Sequence, residues 1–410
     1  MNLILFTNFF PHKKAEPFLV NEFEYTKANF NTICILSMYG KKEDAIFKSD
    51  SKITVLNSVF EDHKNKKQIF TKGIFNISPF GFHLKEFFKQ TLFLQPKKAY
   101  WFFVSFCIVR STLASKGYKD IIETINSSQN TILYFYWGDN LTWIIPYLKK
   151  DTKNKNVKII IRLHGSDLYE GVKNNYAPLR NYILKDADHV ITVSENGKNY
   201  LQSKYPNYAN KISVGRLGVF DNGLNPFIKN KIITIVSVSN AIALKRVHLI
   251  FEILQKSKHT INWHHFGDGI LMPNLKELIK QKRTGLFVQL HGSVSNQTII
   301  DFYKNKSVNL FINVSATEGV PVSIMEALSF GIPVFATNVG GTAELVNNNV
   351  GLLLDVNFDI NTTCKQLDNF IEANESDTNT FRINAQKQFV ALANAENNYT
   401  AFYNDIKEGL

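Results

Sequence analysis

The stretch Asn313–Val346, NVSATEGVPVSIMEALSFGIPVFATNVGGTAELV, limits the fold more than any other part of the chain. A strand-like apolar run, Val308–Val314, leads into it. Pro321 to Phe330 then reads as a helix, with proline near its first turn and Gly331 as its stop. A second apolar run, Pro333–Ala336, passes into the pair Gly340–Gly341 and on to Glu344. Strand, loop, helix, strand, loop, helix belongs to a parallel α/β sheet, and ligands of such sheets bind beyond the carboxyl ends of the strands. The unusual residues sit in those positions: Glu318 and Glu326, eight positions apart, with Gly319 and Pro321 just inside the first.

The physical reading is an anion site flanked by two acids. A helix N-terminus offers unsatisfied N–H groups and partial positive charge, which suits a diphosphate. The donors fall near Val322 and Ser323. Glu326, one turn in, is placed to accept hydrogen bonds from ribose hydroxyls, and Glu318 lies where a sugar on the diphosphate would sit. Gly340 and Gly341 let backbone approach the ligand closely. Glu326 alone is equally explained as an acid drawn to a helix start by the dipole. The full set of Glu318, Gly319, Pro321, Glu326, Gly331, Pro333, Gly340, Gly341 and Glu344 calls for a ligand.

This order and spacing resembles glycosyltransferase family 4 of the GT-B type, in which an EG-x-P-x-x-x-x-E helix, a G-x-P and a GG-x-x-E carry the nucleotide sugar. The resemblance is strongest over Ile233–Leu354. It implies an α/β fold of two Rossmann-like β/α/β domains facing each other across a deep cleft.

Length and patterning agree with two domains. At 410 residues the chain exceeds one usual core. Strand-like runs occupy Leu3–Phe6, Thr32–Ser37, Lys52–Leu56, Thr131–Tyr136, Val157–Leu163 and Val190–Val193. A second series occupies Ile232–Val238, Ile261–Phe266, Phe287–His291, Asn309–Val314, Pro333–Ala336 and Leu352–Leu354, with helical patterns between most of them. The turn-rich Asp221–Phe227 marks the boundary. Residues 1–222 form the acceptor-binding domain and 223–380 the nucleotide-sugar domain. Residues 381–410 form a helical tail that, by resemblance, crosses back to the first domain.

Hydrophobic content of 44% and charged content of 20% describe a soluble globular protein. No apolar run is long enough to span a bilayer, and MNLILFTNFFPHKK reads as a first buried strand rather than a leader. Cys34, Cys107 and Cys364 are too few and too scattered for a disulfide framework or a zinc site, which suits the cytoplasm. The formal charge of +12 lies wholly in residues 1–222, which hold 31 Lys+Arg against 19 Asp+Glu. Such an asymmetry suggests an anionic partner. Nucleic acid is not expected, since no nucleic-acid motif is present. An anionic membrane surface or a lipid-diphosphate acceptor fits better. The plainer account is that runs such as Lys64–Lys67 and Lys149–Lys158 are solvated loops.

Phe75–Leu113 is crowded with aromatic residues, interleaved with Lys85, Lys89, Lys97, Lys98 and Arg110. An interfacial helix on anionic lipid and a buried helix with basic flanks both carry this signature. Phe80–Phe93 leans toward the first and Trp101–Ile108 toward the second.

In the first half, Arg162–Asp167 (RLHGSD) follows a strand and resembles the family's H-G-x-D turn. This places His164 in the cleft, close to the transferred sugar and its phosphates, with Asp167 ordering the turn. The loop after the first strand lacks the family's paired glycine. Its Pro11–Phe18 is similar to a P-x-x-x-x-E-x-F pattern of polysaccharide-type members, making Glu16 a candidate for acceptor contact. A surface-loop glutamate is the default alternative. In the second half, Ser237–Arg246 falls where the family reads G-R-x-x-x-x-K-G. Lys245 matches the lysine, Asn240 stands in place of the arginine and Arg246 in place of the glycine. Either Lys245 and Arg246 together supply charge to the diphosphate, or one phosphate contact is weaker than in the family. The strand-end turn at Gly267 is expected to shape the base pocket, and Gly292–Val294 resembles the family segment that lines the nucleobase.

The resemblance implies a retaining transfer of sugar from a UDP- or GDP-type donor to a hydroxyl of a glycan or lipid-linked acceptor, as in capsule, exopolysaccharide or lipopolysaccharide synthesis. In it, closure of the cleft brings His164 over the anomeric carbon while Glu318 and Lys245 hold the donor. No cofactor or metal is expected, because no ligand cluster of metal spacing is visible. The expected location is the cytoplasm, with peripheral contact at the inner face of its membrane. A sugar-nucleotide epimerase, a soluble-glucan synthase and a catalytically silent binding protein are the alternatives.

Overall fold

The computed structural model describes residues 1–12, 16–47, 50–61, 71, 74, 81–128, 130–154, 156–376 and 378–408. The lysine run at 64–67 and Phe80 lie outside them. The chain divides into two compact units, Met1–Gly215 with Phe402–Leu410, and Arg216–Ala401.

The first unit holds a seven-stranded sheet: β1 (Asn2–Thr7), β2 (Thr32–Ser37), β3 (Ile53–Val55), β4 (Thr131–Phe135), β5 (Val157–Leu163), β6 (His189–Thr192) and β7 (Ile212–Val214). Its spatial order is β3-β2-β1-β4-β5-β6-β7 and every pairing is parallel. The second unit holds β8 (Ile233–Val238), β9 (Ile261–Phe266), β10 (Leu286–Gly292), β11 (Leu310–Asn313), β12 (Val334–Thr337) and β13 (Gly351–Leu354). They lie parallel in the order β10-β9-β8-β11-β12-β13. All twelve predicted strands are present, with ends that shift by one residue at most. The missed strand is β7, whose three residues, Ile-Ser-Val, are too short for a periodic signal.

Continuous apolar runs make these strands parallel rather than hairpin-forming, because helices cover both faces of the sheet. Burial follows: β4 is buried at every position, and Ile235, Trp263, Ile312 and Phe335 form the middle of the second core. Each such side chain contributes roughly 1.5–3 kcal/mol by leaving water. Serines start several helices: the side chains of Ser115, Ser194 and Ser295 accept from Tyr118 N, Gly197 N and Thr298 N. All three cysteines are buried and free.

The predicted tail resolves into two helices, Thr378–Leu392 and Ala395–Glu408. The last turns of the second belong to the first unit and are fixed there by a buried charge. Arg162 Nη1 donates to Glu22 Oε2 at 2.6 Å, and Nη2 donates to the Gly215 carbonyl at 2.7 Å. The guanidinium carbon lies 4.7 Å from the Phe402 ring centroid, and Tyr403 Oη donates to Glu22 Oε1 at 3.0 Å. Arg162 and Glu22 side chains are fully buried, so Arg162→Ala strands a carboxylate in the core and costs about 3–5 kcal/mol.

Candidate functional site

The strand order of the second unit changes direction between β8 and β11, the place where open parallel sheets bind ligands. The loops leaving these two strands meet there. Ala316 N donates to the Leu244 carbonyl at 2.8 Å. Lys245 Nζ donates to Glu318 Oε1 at 2.6 Å, and Asn313 Nδ2 reaches the same oxygen at 3.3 Å. The Lys245 and Glu318 side chains remain 22% and 10% exposed, so the pair is reachable yet only partly hydrated. Asn313, the last residue of β11, lay inside the informative stretch but gave no signal beyond its strand-end position.

Immediately after Glu318, the Val322–Ser329 helix begins with Pro321 as its N-cap. Helix geometry leaves the N–H groups of Val322 and Ser323 without intrahelical acceptors. Pro321 supplies no side-chain cap and the first turn holds no acid, so this end keeps its positive character for an anion. Gly331 ends the segment in the left-handed region, at φ 66°.

The glycine pair packs against the acidic loop. Gly340 has φ 54°, and a Cβ there would lie 1.9 Å from the Glu318 carbonyl oxygen. Gly341 N donates to the Gly319 carbonyl at 2.7 Å. The close approach is therefore to the Glu318–Gly319 backbone, and the pair shapes the acidic loop from behind. Glu344 accepts from Arg216 Nη1 at 2.6 Å.

Arg246 also departs from expectation. Its guanidinium donates to the carbonyls of Val314 (Nε, 2.7 Å), Val356 (Nη1, 2.7 Å) and Ser315 (Nη2, 3.2 Å). Three of its five N–H groups thus tie it to the loops that follow β11 and β13, beside the Lys245–Glu318 pair. Its backbone sits at φ 49°, the left-handed region that a glycine would occupy without cost. The family's glycine at this position thus has a conformational reason. Asn240 is exposed. Gly267 (φ 137°) and Gly292 (φ 70°) belong to adjoining turns, joined by Gly267 N donating to the Gly292 carbonyl at 2.8 Å. A Cβ on Gly267 would lie 1.9 Å from the Ser239 carbonyl oxygen.

Glu326 is buried within the same helix and accepts from Asn296 Nδ2 at 2.6 Å. Burial pushes its carboxyl up to about 7, against the opposing pull of the Asn296 hydrogen bond. Nothing in the sequence pattern singled out Asn296, which lies thirty residues away.

The remaining candidates lie in the first unit, around the carboxyl ends of β1, β4 and β5. Glu16 is buried, contrary to the surface-loop alternative. Its carboxylate accepts from Asn8 N (3.0 Å), Phe9 N (3.3 Å) and Phe10 N (2.8 Å), and from Trp137 Nε1. These donors bind both oxygens, so Glu16 organises the loop after β1. Asp167 Oδ1 accepts from His164 N at 2.8 Å and Oδ2 from Gly138 N at 2.7 Å. Burial opposes its ionisation, yet the His164 ring and these N–H donors hold it below the usual carboxylate range. The His164 ring packs against Trp137, with centroids 4.4 Å apart, and Tyr136, at 5.0 Å. His164 Nδ1 lies 3.7 Å from Asp167 Oδ2. Among the described residues neither ring nitrogen has a hydrogen-bond partner, and both are buried. Trp137, in a loop with no motif of its own, was missed.

The chain is similar to known proteins. Residues 225–388 match the family model described as Glycosyl transferases group 1. The putative colanic acid biosynthesis glycosyltransferase WcaL of Escherichia coli K12 is 28% identical over 200 residues, covering 46% of this chain and 49% of that protein. The poly(ribitol-phosphate) alpha-N-acetylglucosaminyltransferase of Staphylococcus aureus is 24% identical over 285 residues, 60% of this chain and 56% of that one. The chain thus spans about half the length of these curated relatives. Among solved structures, the apo lipopolysaccharide outer core galactosyltransferase WaaB gives a TM-score of 0.67 at 15% identity over 100% of both chains. Anabaena HepE, solved with UDP, gives 0.65 at 14% identity over 100% of both chains. Sucrose-phosphate synthase of Thermosynechococcus elongatus gives 0.71 at 14% identity, over 100% of this chain and 99% of that one. These likenesses show the fold, which is GT-B with two Rossmann-like parallel sheets.

Proposed function

We propose, for a chain whose residues 225–388 match the glycosyl transferases group 1 family model, that it moves a sugar from a nucleoside diphosphate to a hydroxyl of a glycan or lipid-linked acceptor, in the synthesis of a cell-surface polysaccharide. The observation that carries the reading is the meeting of Lys245 and Glu318 at the β8/β11 switch point, beside the uncapped start of the Val322–Ser329 helix. A cation and free N–H groups suit a diphosphate, and a carboxylate beside them suits sugar hydroxyls. The description of HepE as a UDP complex supports a uridine donor as the first to try.

In this reading the diphosphate binds at Lys245 and the helix start, and Glu318 exchanges part of its hold on Lys245 for the donor sugar. Glu326 accepts from the ribose. The bond between the anomeric carbon and the diphosphate oxygen breaks as a bond to the acceptor oxygen forms on the same face. The acceptor proton passes to the departing diphosphate, whose charge Lys245 and the helix start stabilise. His164, whose buried ring nitrogens make no hydrogen bond among the described residues, is assigned to a hydroxyl or phosphate oxygen of the bound substrates.

The test is thermal unfolding with UDP, GDP, ADP and their sugars, paired with donor hydrolysis in the absence of acceptor. A ligand that binds only the folded chain raises the Tm by mass action. A shift with one nucleotide, lost in Glu326→Ala, together with slow release of free sugar, is the expected result. Binding without any turnover of donor across a broad acceptor panel would leave a nucleotide-sugar-binding protein and sink the transferase reading.

A further inference from the structure

The helix Gly81–Lys89, the short turn Leu92–Leu94 and the helix Pro96–Leu113 pack on one another in the first unit. Their inner side is anchored: His83 is buried, with Nδ1 2.9 Å from Tyr147 Oη and Nε2 3.3 Å from Ser105 Oγ. Cys107, Ile108 and Val109 enter the core, so the far half of the second helix is structural. The outer side differs. Phe88 is 63% exposed, Phe93 61% and Leu94 70%, and Leu84 and Tyr100 are exposed as well. Leu84 and Phe88 are one helical turn apart and share a face.

Between positions 81 and 103 the exposed charges all have one sign. Lys85, Lys89 and Lys97 are exposed and Lys98 half-buried. The single acid between positions 81 and 103, Glu86, is turned into the protein and buried. An exposed face of large apolar groups ringed by lysine stems and lacking exposed acids matches the boundary between acyl chains and anionic headgroups. A protein partner would have to meet the same apolar side chains with an acidic rim. A bilayer with anionic lipids offers both over any area. Among the described residues no helix is long and apolar enough to cross a membrane, so the contact lies along the surface.

We propose that this helix–turn–helix docks the protein on an anionic lipid surface, with Phe88, Phe93 and Leu94 inserted at the headgroup boundary and Lys85, Lys89 and Lys97 against lipid phosphates. The proposal does not depend on the sugar-transfer reading. The test is co-sedimentation of the full chain with vesicles of phosphatidylcholine alone and with about 30 mol% phosphatidylglycerol. Binding should require the anionic lipid and fall steeply by about 0.5 M salt. The triple variant Lys85→Gln/Lys89→Gln/Lys97→Gln should lower partitioning by on the order of 100-fold, at about 1 kcal/mol for each lysine. Phe88→Ser/Leu94→Ser should lower it by at least about tenfold at unchanged charge. Circular-dichroism melts keep loss of fold apart from loss of docking, and the lysine variant, which alters only surface charge, stands if the apolar one unfolds. No pelleting with anionic vesicles, or pelleting unchanged in both variants, overturns the proposal. So does an apolar variant that changes the oligomeric state in sedimentation velocity while leaving vesicle binding intact, since the face would then be a protein interface.

Discussion

Lys245 Nζ and Glu318 Oε1 lie 2.6 Å apart although 73 positions separate them in the chain. The parallel order that sets β8 beside β11 brings their loops together. In the ligand-free protein each neutralises the other, and Asn313 adds a second donor to the carboxylate. In the proposed reading the pair keeps a place for a diphosphate and its sugar without leaving a bare charge in a partly buried site, which would be costly.

Lys245→Ala should lower donor turnover by on the order of 100- to 1,000-fold, the usual loss when one group that stabilises the departing charge is removed. Glu318→Gln should also be strongly impaired. Residues in contact do not add independently, so the double variant should lose less than the product of the two single losses. Steady-state kinetics of the four proteins checks this; losses that multiply cleanly would show that the two side chains act apart.

Glu326 predicts a pH signature. Its carboxyl titrates near 7 in the folded chain and near 4.5 when exposed. Between those values the folded chain keeps a proton that the unfolded chain releases. Stability of the ligand-free protein therefore falls as pH rises from about 4.5 to 7, by on the order of 3 kcal/mol at most. Ribose hydroxyls donate to the ionised form, so nucleotide affinity should rise across pH 6 to 8, with proton uptake by buffer on binding. Glu326→Gln should flatten both trends and weaken nucleotide binding. Calorimetric titrations in buffers of different ionisation enthalpy provide the readout, and an affinity that is flat from pH 6 to 8 in the parent protein would exclude this role.

Much of this was legible because apolar period and turn chemistry act locally. The runs at Ile261–Phe266 and Val157–Leu163 become strands with the bounds read from sequence, since a short run rich in β-branched or aromatic residues has few other uses in a two-unit α/β chain. What stayed hidden depends on long-range contact. The sequence shows that Arg246 is basic and near Lys245, but not that Val314, Ser315 and Val356 capture its guanidinium. It shows that Gly340 needs space, but not that the space is claimed by the Glu318 carbonyl. Asn296 and Trp137 carry no local pattern and become visible only through Glu326 and Glu16.

Gly340→Ala tests whether the glycine pair shapes the acidic loop. A Cβ would overlap the Glu318 carbonyl at 1.9 Å, and the backbone is left-handed there. The loop must move, since neither feature can be relieved by rotating a side chain. We expect a loss of about 1–3 kcal/mol in stability together with weaker donor binding, because Glu318 moves with its carbonyl. A variant with wild-type Tm and nucleotide affinity would contradict the assignment. Thr342→Ala, two residues on and within the following helix, makes a suitable control for simple local destabilisation.

Trp137 joins two candidates of the first unit: its Nε1 donates to Glu16 and its ring packs on His164 at 4.4 Å. The two contacts can be separated. Trp137→Phe keeps an aromatic wall beside His164 and removes the donor to Glu16, which retains three backbone N–H partners. A hydrogen bond to a charged group contributes about 1.5–3 kcal/mol, so this variant should melt earlier yet keep most of its turnover. Trp137→Ala also removes the wall. His164 then gains rotational freedom, and a group that must meet substrate in one orientation loses rate when it is no longer held. We expect kcat to fall at least about tenfold below that of the Phe variant. Equal turnover in the two variants would show that the ring does not position His164. Equal melting temperatures in the Phe variant and the parent would show that the indole N–H contributes nothing to the loop after β1.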